Sequence, residues 1–525
     1  MRRLVAVSAV LCTLLVGSAT VPDSASASSA ASAAVQTILW GPCSDPVLTA
    51  AHAQCGFLSV PLDYQNLDGA KIHLAVSRVQ HTSPTAQFQG VMLTNPGGPG
   101  ASGLQLATLG QFVPNGVGAR YDWIGFDPRG VGSSRPALSC VPDYFGGDRP
   151  PFVPTKPAML RRWLTRSKAY ADACAANAPD LLPHMKTTDS ARDMDSIRLA
   201  LGAAQINYYG ISYGTYLGQV YATLFPKRVR RMVLDSSVDP RRVWYEANLN
   251  QAAPGERNIK LWFGWLARHH DVYHLGRSES AVERLFYRQV ASVTRNPAAG
   301  VIGPDEFEDA FYAAVFTESV WTILGGVFSS WVHEHNAGGL IAAYTAFDGP
   351  GNDNAFAVSN AVMCTDARWP RWSIWSRDYQ RSYRTARFAT WNIAWYVAPC
   401  LYWAAAPGTP VKVKGDHVSA LLISETLDAA EPFEGSLEVR NLFRNSSLVA
   451  EPGGTTHAGT LFGNACVDGH IADYLATGAL PARKSGRRAD AQCEPLPQPV
   501  PSGAGGLQAA ARARLALRTP VLMHG

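Results

Sequence analysis

Apolar and polar positions along the first 240 residues fall into short runs with strand periodicity. The stretches GFLSVPLDY (56–64) and KIHLAVSRV (71–79) alternate with a period of two, and Asn66 to Gly69 between them supplies a turn, which predicts an initial antiparallel pair. Four later runs, GVMLTNPGGPG, YDWIGFDPRG, INYYGIS and RRMVLDSSVDP, are apolar almost throughout and close on Gly, Pro or Asp. Such runs suit strands covered on both faces. Between the second and third, TTDSARDMDSIRLALG puts Ala191, Met194, Ile197, Leu199 and Leu201 near one helical face, with Thr188 or Asp189 as N-cap and Gly202 at the end. Strand, loop, helix, strand is the rhythm of a mostly parallel α/β sheet.

After Pro240 the rhythm breaks. Residues 241–405 are rich in Trp, Tyr, Phe and His and read as amphipathic helices, for instance RNIKLWFGWLARHHDVYHLG. Two strand-like runs then resume, HVSALLISETLD and SSLVAEPGG, followed by the helical DGHIADYLATG. The economical reading is one α/β sheet, built from 35–240 and 406–495, with a helical cap inserted at 241–405. A separate second domain fits less well, because the sheet pattern restarts after the insertion. Residues 496–525 read as a Pro/Gly linker and a basic tail, and no internal repeat is visible.

Composition narrows the class. With 525 residues, 47% hydrophobic and 17% charged, the chain can bury a large core. Its +5 formal charge comes from 46 basic and 41 acidic side chains without a long basic block, which gives nucleic-acid binding little support. The first 34 residues carry Arg2 and Arg3, an apolar stretch from Leu4 to Val16 and then small residues, the three parts of a signal peptide. The expectation is an exported protein with no spanning segment beyond that signal. Export leaves eight cysteines, an even number suited to disulfides, and the simplest of the 105 connectivities pairs neighbours: Cys43 with Cys55, Cys140 with Cys174, Cys364 with Cys400 and Cys466 with Cys493.

Candidate chemistry centres on YYGISYGTYLG (208–218), a G-x-S-x-G pattern with Ser212 between Gly210 and Gly214. The pattern alone is weak. Its context, a strand-like run before it and helical spacing of Tyr216, Val220 and Leu224 after it, is what a nucleophile elbow requires. A serine hydroxyl needs a base and an orienting acid, which in this fold follow later in the chain, acid first. Asp428, with Glu425 and Glu431 nearby, follows a strand beyond the cap, and of the two histidines after it His457 lies in a loop whereas His470 lies in a helical pattern. The glycine-rich NPGGPGASG (95–103) suits an oxyanion hole, for which the N–H groups of Gly98 and Tyr213 are the candidates.

Competing readings explain less. Residues 98–103 spell G-x-G-x-x-G with Asp122 about twenty residues on, but two strands precede the loop and a dinucleotide site would leave Ser212, Asp428 and His457 idle. His270 and His274 lie one helical turn apart without a third ligand, and His333-Glu334-His335 diverge on a helix, so no metal and no cofactor are expected. DPRGVGSS (127–134) reads as a tight turn, since no phosphate-loop lysine follows. A triad-bearing scaffold working as a binding protein leaves the intact triad without a purpose.

Taken in order, NPGGPGASG, DWIGFDPRGVGSS, YYGISYGTYLGQVYATLFP, RRMVLDS, CTDARWP, ETLDAAEPFEGS and GNACVDGHIADYLATGALP resemble the secreted tripeptidyl aminopeptidases of actinomycetes, α/β-hydrolase serine peptidases related to prolyl aminopeptidases. The resemblance runs from about Trp40 to Cys493, cap included. It implies an α/β-hydrolase fold, a Ser212, Asp428, His457 triad, and release of short peptides from free N-termini, with a secreted carboxylesterase using the same triad as the alternative. Acidic groups should fix the substrate's amino terminus, and Glu246, Asp366 and Glu431 are the candidates. The family usually has Thr-Pro where this chain has Glu431-Pro432, so Glu431 is a departure that either binds an ammonium group, acts on His457, or faces solvent.

Overall fold

A computed structural model of the protein describes residues 37–501 apart from 147, 148, 350 and 352. The expected signal peptide and most of the basic tail lie outside the described residues. Within them the apolar runs form one ten-stranded sheet: β1 (Gly41–Pro42), β2 (Gln54–Pro61), β3 (Lys71–Val79), β4 (Val91–Asn95), β5 (Asp122–Phe126), β6 (Ile206–Ile211), β7 (Val229–Asp235), β8 (Ala420–Glu425), β9 (Ser446–Glu451) and β10 (Ala491–Gln492). Their spatial order is β1-β2-β3-β5-β4-β6-β7-β8-β9-β10. The alternating strands β2 and β3 pair antiparallel, in the register Leu58 to Leu74, and β3 meets β5 antiparallel. From β5 to β10 all neighbours are parallel.

Burial explains the two kinds of pattern. Every residue of β4, β6, β8 and β9 is buried, as expected for parallel strands covered by helices on both faces. The two-residue strands β1 and β10 are too short to leave a periodic signal, and the sequence reading missed them. Between β7 and β8 the regular elements among the described residues are all helical, including Ala252–Arg268, Glu279–Arg295, Trp321–Glu334 and Asp353–Asp366. Their interior is aromatic: Trp262 stacks on Phe311 at 5.5 Å between ring centroids, and Phe286 lies 5.3 Å from Phe263. The four neighbour pairs of cysteines are joined in disulfides. No single helix among the described residues is long and apolar enough to cross a membrane.

One helix departs from expectation in an informative way. Neither Thr188 nor Asp189 is its N-cap; it begins at Thr187, and the residue before it, Lys186, makes no side-chain cap. The cap comes from the inserted helices instead, because Asp366 accepts hydrogen bonds from the Thr187 N–H at 2.7 Å and from its hydroxyl at 2.5 Å.

Candidate active site

All the candidate catalytic segments follow carboxyl ends of parallel strands, where α/β sheets place their ligands. The 95–103 loop follows β4, Ser212 follows β6, Asp428 follows β8 and His457 follows β9. Ser212 sits between β6 and the helix Tyr213–Leu224 with φ 55° and ψ −129°, a conformation that L-residues rarely adopt. The elbow tolerates no bulk: a Cβ at Gly210 would lie 2.5 Å from the Gly214 carbonyl, and one at Gly214 would lie 2.5 Å from the Asn95 carbonyl. Ser212 donates its N–H to the Asp235 carbonyl at 3.0 Å, while its own carbonyl accepts from Thr215. The first of these bonds ties the turn to the end of β7 and the second closes the first turn of the helix.

The structure brings two of the three predicted catalytic side chains into direct contact. His457 Nδ1 is 2.8 Å from Asp428 Oδ2, both side chains being buried. The other Asp428 oxygen accepts the N–H groups of Ala430 and Glu431, which fixes the carboxylate's orientation. Ser212 Oγ and His457 Nε2 are not hydrogen-bonded to each other, and each is buried without another partner among the described residues. They are tied to adjacent residues, since Ser212 bonds Asp235 and Ala458 donates its N–H to Ser236 Oγ at 3.0 Å. Catalytic hydrogen bonds often tighten only when substrate binds. Burial disfavours a charged imidazole, yet the charge and hydrogen bond of Asp428, reinforced by Asp235, hold His457 above its ordinary value.

The glycine loop approaches the elbow closely. Gly97, Gly98 and Gly100 all have φ above 100°, and a Cβ at Gly97 would lie 2.8 Å from Ser212 Cβ and 3.0 Å from the Tyr213 nitrogen. Gly97 spends its N–H on Asn95 Oδ1. The N–H groups of Gly98 and Tyr213 donate to nothing among the described residues. Both residues line a cleft of about 760 Å³, its open mouth included, walled by Trp244, Tyr312, Phe316 and Glu431.

The three candidate acids are placed very differently. Glu246 is on the surface, 65% exposed, beside Arg242. The carboxylate of Asp366 is buried and already occupied by Thr187 and by the Trp244 indole N–H, so it is a tether between cap and core. Glu431 alone of the three lines the cleft. Burial, then Asp428, then Asp239 push its carboxyl well above the ordinary range, and no cation among the described residues counters that push. Sequence reasoning missed Asn95, Asp235 and Ser236, which hold the elbow and the histidine loop; their position at strand carboxyl ends is the one signal that could have pointed to them. Of the metal candidates, His270 and His274 have ring centroids 5.6 Å apart, and the cluster of Cys466, His470 and Cys493 has its two sulfurs joined in a disulfide.

Sheet order, strained elbow serine and acid–histidine pair define an α/β-hydrolase, and the family described as alpha/beta hydrolase fold matches residues 90–278. The family described as TAP-like protein matches residues 386–493. The tripeptidyl aminopeptidase of Streptomyces coelicolor is 39% identical over 486 residues, covering 90% of this chain and 88% of that one. The serine protease Hip1 of Mycobacterium tuberculosis is 31% identical, covering 85% and 90%, and a carboxylesterase B of the same species is 29% identical, covering 84% and 88%. The chain belongs to the tripeptidyl aminopeptidase family of α/β-hydrolases and is a serine hydrolase.

Proposed function

We propose that the protein is an exported serine exopeptidase that releases short peptides, tripeptides by family likeness, from free N-termini. Ser212 attacks the scissile carbonyl while His457 takes its proton and returns it to the leaving amine. Asp428 orients the ring through Nδ1 and stabilises the imidazolium. The N–H groups of Gly98 and Tyr213 receive the tetrahedral oxyanion, a contribution of roughly 3 to 4 kcal/mol for one such donor. Four disulfides support an oxidising destination, as does the signal-like N-terminal sequence.

The observation that carries the exopeptidase reading is Glu431, a buried carboxyl on the wall of the cleft on which acidic neighbours, and no cation among the described residues, act. A buried acid without a counter-charge is costly, and a substrate ammonium group supplies that charge. Cap aromatics Tyr312 and Phe316 form part of the cleft wall, their rings 5.5 Å apart, which suits a site that takes a chain end. The test compares a free tripeptidyl anilide with its N-acetylated form: the free amine should be cleaved at least 100-fold more efficiently. The relative named carboxylesterase B favours a second reading; turnover of acyl esters with refusal of both anilides would establish that one instead.

A further inference from the structure

The loop that carries His457 is wrapped around a side chain with no part in the reaction sequence above. Glu425 is the last residue of β8, in register with Glu451, the last residue of β9. Its Oε2 accepts the N–H of Thr456, the residue before the histidine. Two glycines of the loop lie against the same carboxyl group: a Cβ at Gly454 would come within 2.4 Å of Oε2, and one at Gly459 within 2.9 Å of Oε1. The loop therefore closes over Glu425 from both sides of His457.

We propose that Glu425 is a positioning residue, its carboxyl group being the template on which the 452–460 loop folds so that His457 is presented to Asp428. Three further loop N–H groups are held by surrounding elements: His457 donates to the Phe316 carbonyl, Ala458 to Ser236 Oγ, and Thr460 to Asp235 Oδ2. Thr455 Oγ1 donates to Glu318 on the cap at 2.9 Å. Of these acceptors only Glu425 contacts the loop both before and after the histidine, which makes it the centre of the set.

The template works in its neutral form. Glu451, Asp428 and Glu318 all face Glu425 with like charge, while Arg257 on the cap spends its guanidinium on the Leu427 carbonyl and Asn258. Burial first, then Glu451, push Glu425 up to about 9, against which the Thr456 hydrogen bond pulls only partly. Neighbouring Glu451 reaches about 7, also through burial, and Asp235 about 6. Ionisation of Glu425 places a second negative charge against Glu451 inside the loop, so activity should fall on the alkaline side as the template is expelled.

This proposal rests on His457 being the catalytic base, so the experiment includes His457→Ala. Steady-state kinetics on a free tripeptidyl anilide from pH 6 to 10 are measured for the parent, Glu425→Ala and Glu425→Gln. Glu425→Ala should lower kcat roughly 10- to 100-fold with KM within about twofold, the loss expected for a misplaced catalytic group. Glu425→Gln, which keeps an acceptor for Thr456 but cannot ionise, should restore most of that loss and abolish the alkaline fall near pH 9. An alkaline limb unchanged in Glu425→Gln overturns the proposal, and so does a folded Glu425→Ala with parental kcat. If Glu425→Ala does not fold, the Glu425→Gln profile decides alone. Full activity in His457→Ala would instead overturn the functional reading beneath it.

Discussion

His457 and Asp428, twenty-nine residues apart in the chain, meet at 2.8 Å through Nδ1 and Oδ2 at the carboxyl edge of the sheet. Asp428 thereby sets both the tautomer and the basicity of the ring, because a charge buried beside the imidazole favours its protonated form.

The pH dependence follows with a definite sign. In the proposed mechanism His457 must be neutral to accept the serine proton, so kcat/KM should rise with pH through a midpoint above the ordinary histidine value of 6.5. Asp428→Asn should move that midpoint down and lower kcat by up to about 10⁴-fold. Because the folded value is raised, the pair's contribution to stability is complete below the unfolded value, about 6.5, and is lost as pH climbs through the folded one. Denaturant melts of parent and Asp428→Asn at pH 5.5 and 9 check this: the difference should shrink at the higher pH.

Glu431 should trade stability for binding. Its carboxyl holds a proton in the folded protein at pH values where the unfolded chain has lost it, so folding weakens as pH rises above the ordinary glutamate range. Glu431→Gln should therefore melt higher than the parent at pH 7 yet bind free-amine peptides less well. Loss of a charged hydrogen bond of about 1.5–3 kcal/mol corresponds to a KM roughly 10- to 150-fold higher, and Glu431→Thr should behave alike. An unchanged KM in either variant would remove Glu431 from the binding of the amino terminus.

Ser212 stores backbone strain that a glycine would release. At φ 55° and ψ −129°, Ser212→Gly should be more stable than Ser212→Ala by about 1–3 kcal/mol, although both lose the proposed nucleophile. Calorimetry measures the first difference. Labelling by a fluorophosphonate, present in the parent and absent in both variants, measures the second.

Asp366 should behave as a structural tether. Asp366→Ala removes the acceptor for two Thr187 donors and the Trp244 indole, and should cost about 1–3 kcal/mol of stability. Its preference for free over N-acetylated substrate should match the parent's. A selective loss of free-amine binding in a stably folded variant would return Asp366 to the substrate site.

The primary structure by itself determined the framework: period-two alternation in β2 and β3 set an antiparallel pair, and continuous apolar runs in β4, β6, β8 and β9 set a core covered on both faces. It also determined the elbow, because glycines on either side of Ser212 leave a local trace of a local steric need. Local pattern could not rank Glu246, Asp366 and Glu431, three acids of similar sequence character. Only the fold decided that one meets water, one caps a helix nearly 180 residues away, and one stands uncompensated on the cleft wall. A carboxylate's role depends on which donors and charges surround it, and here those come from remote segments that only tertiary packing brings together.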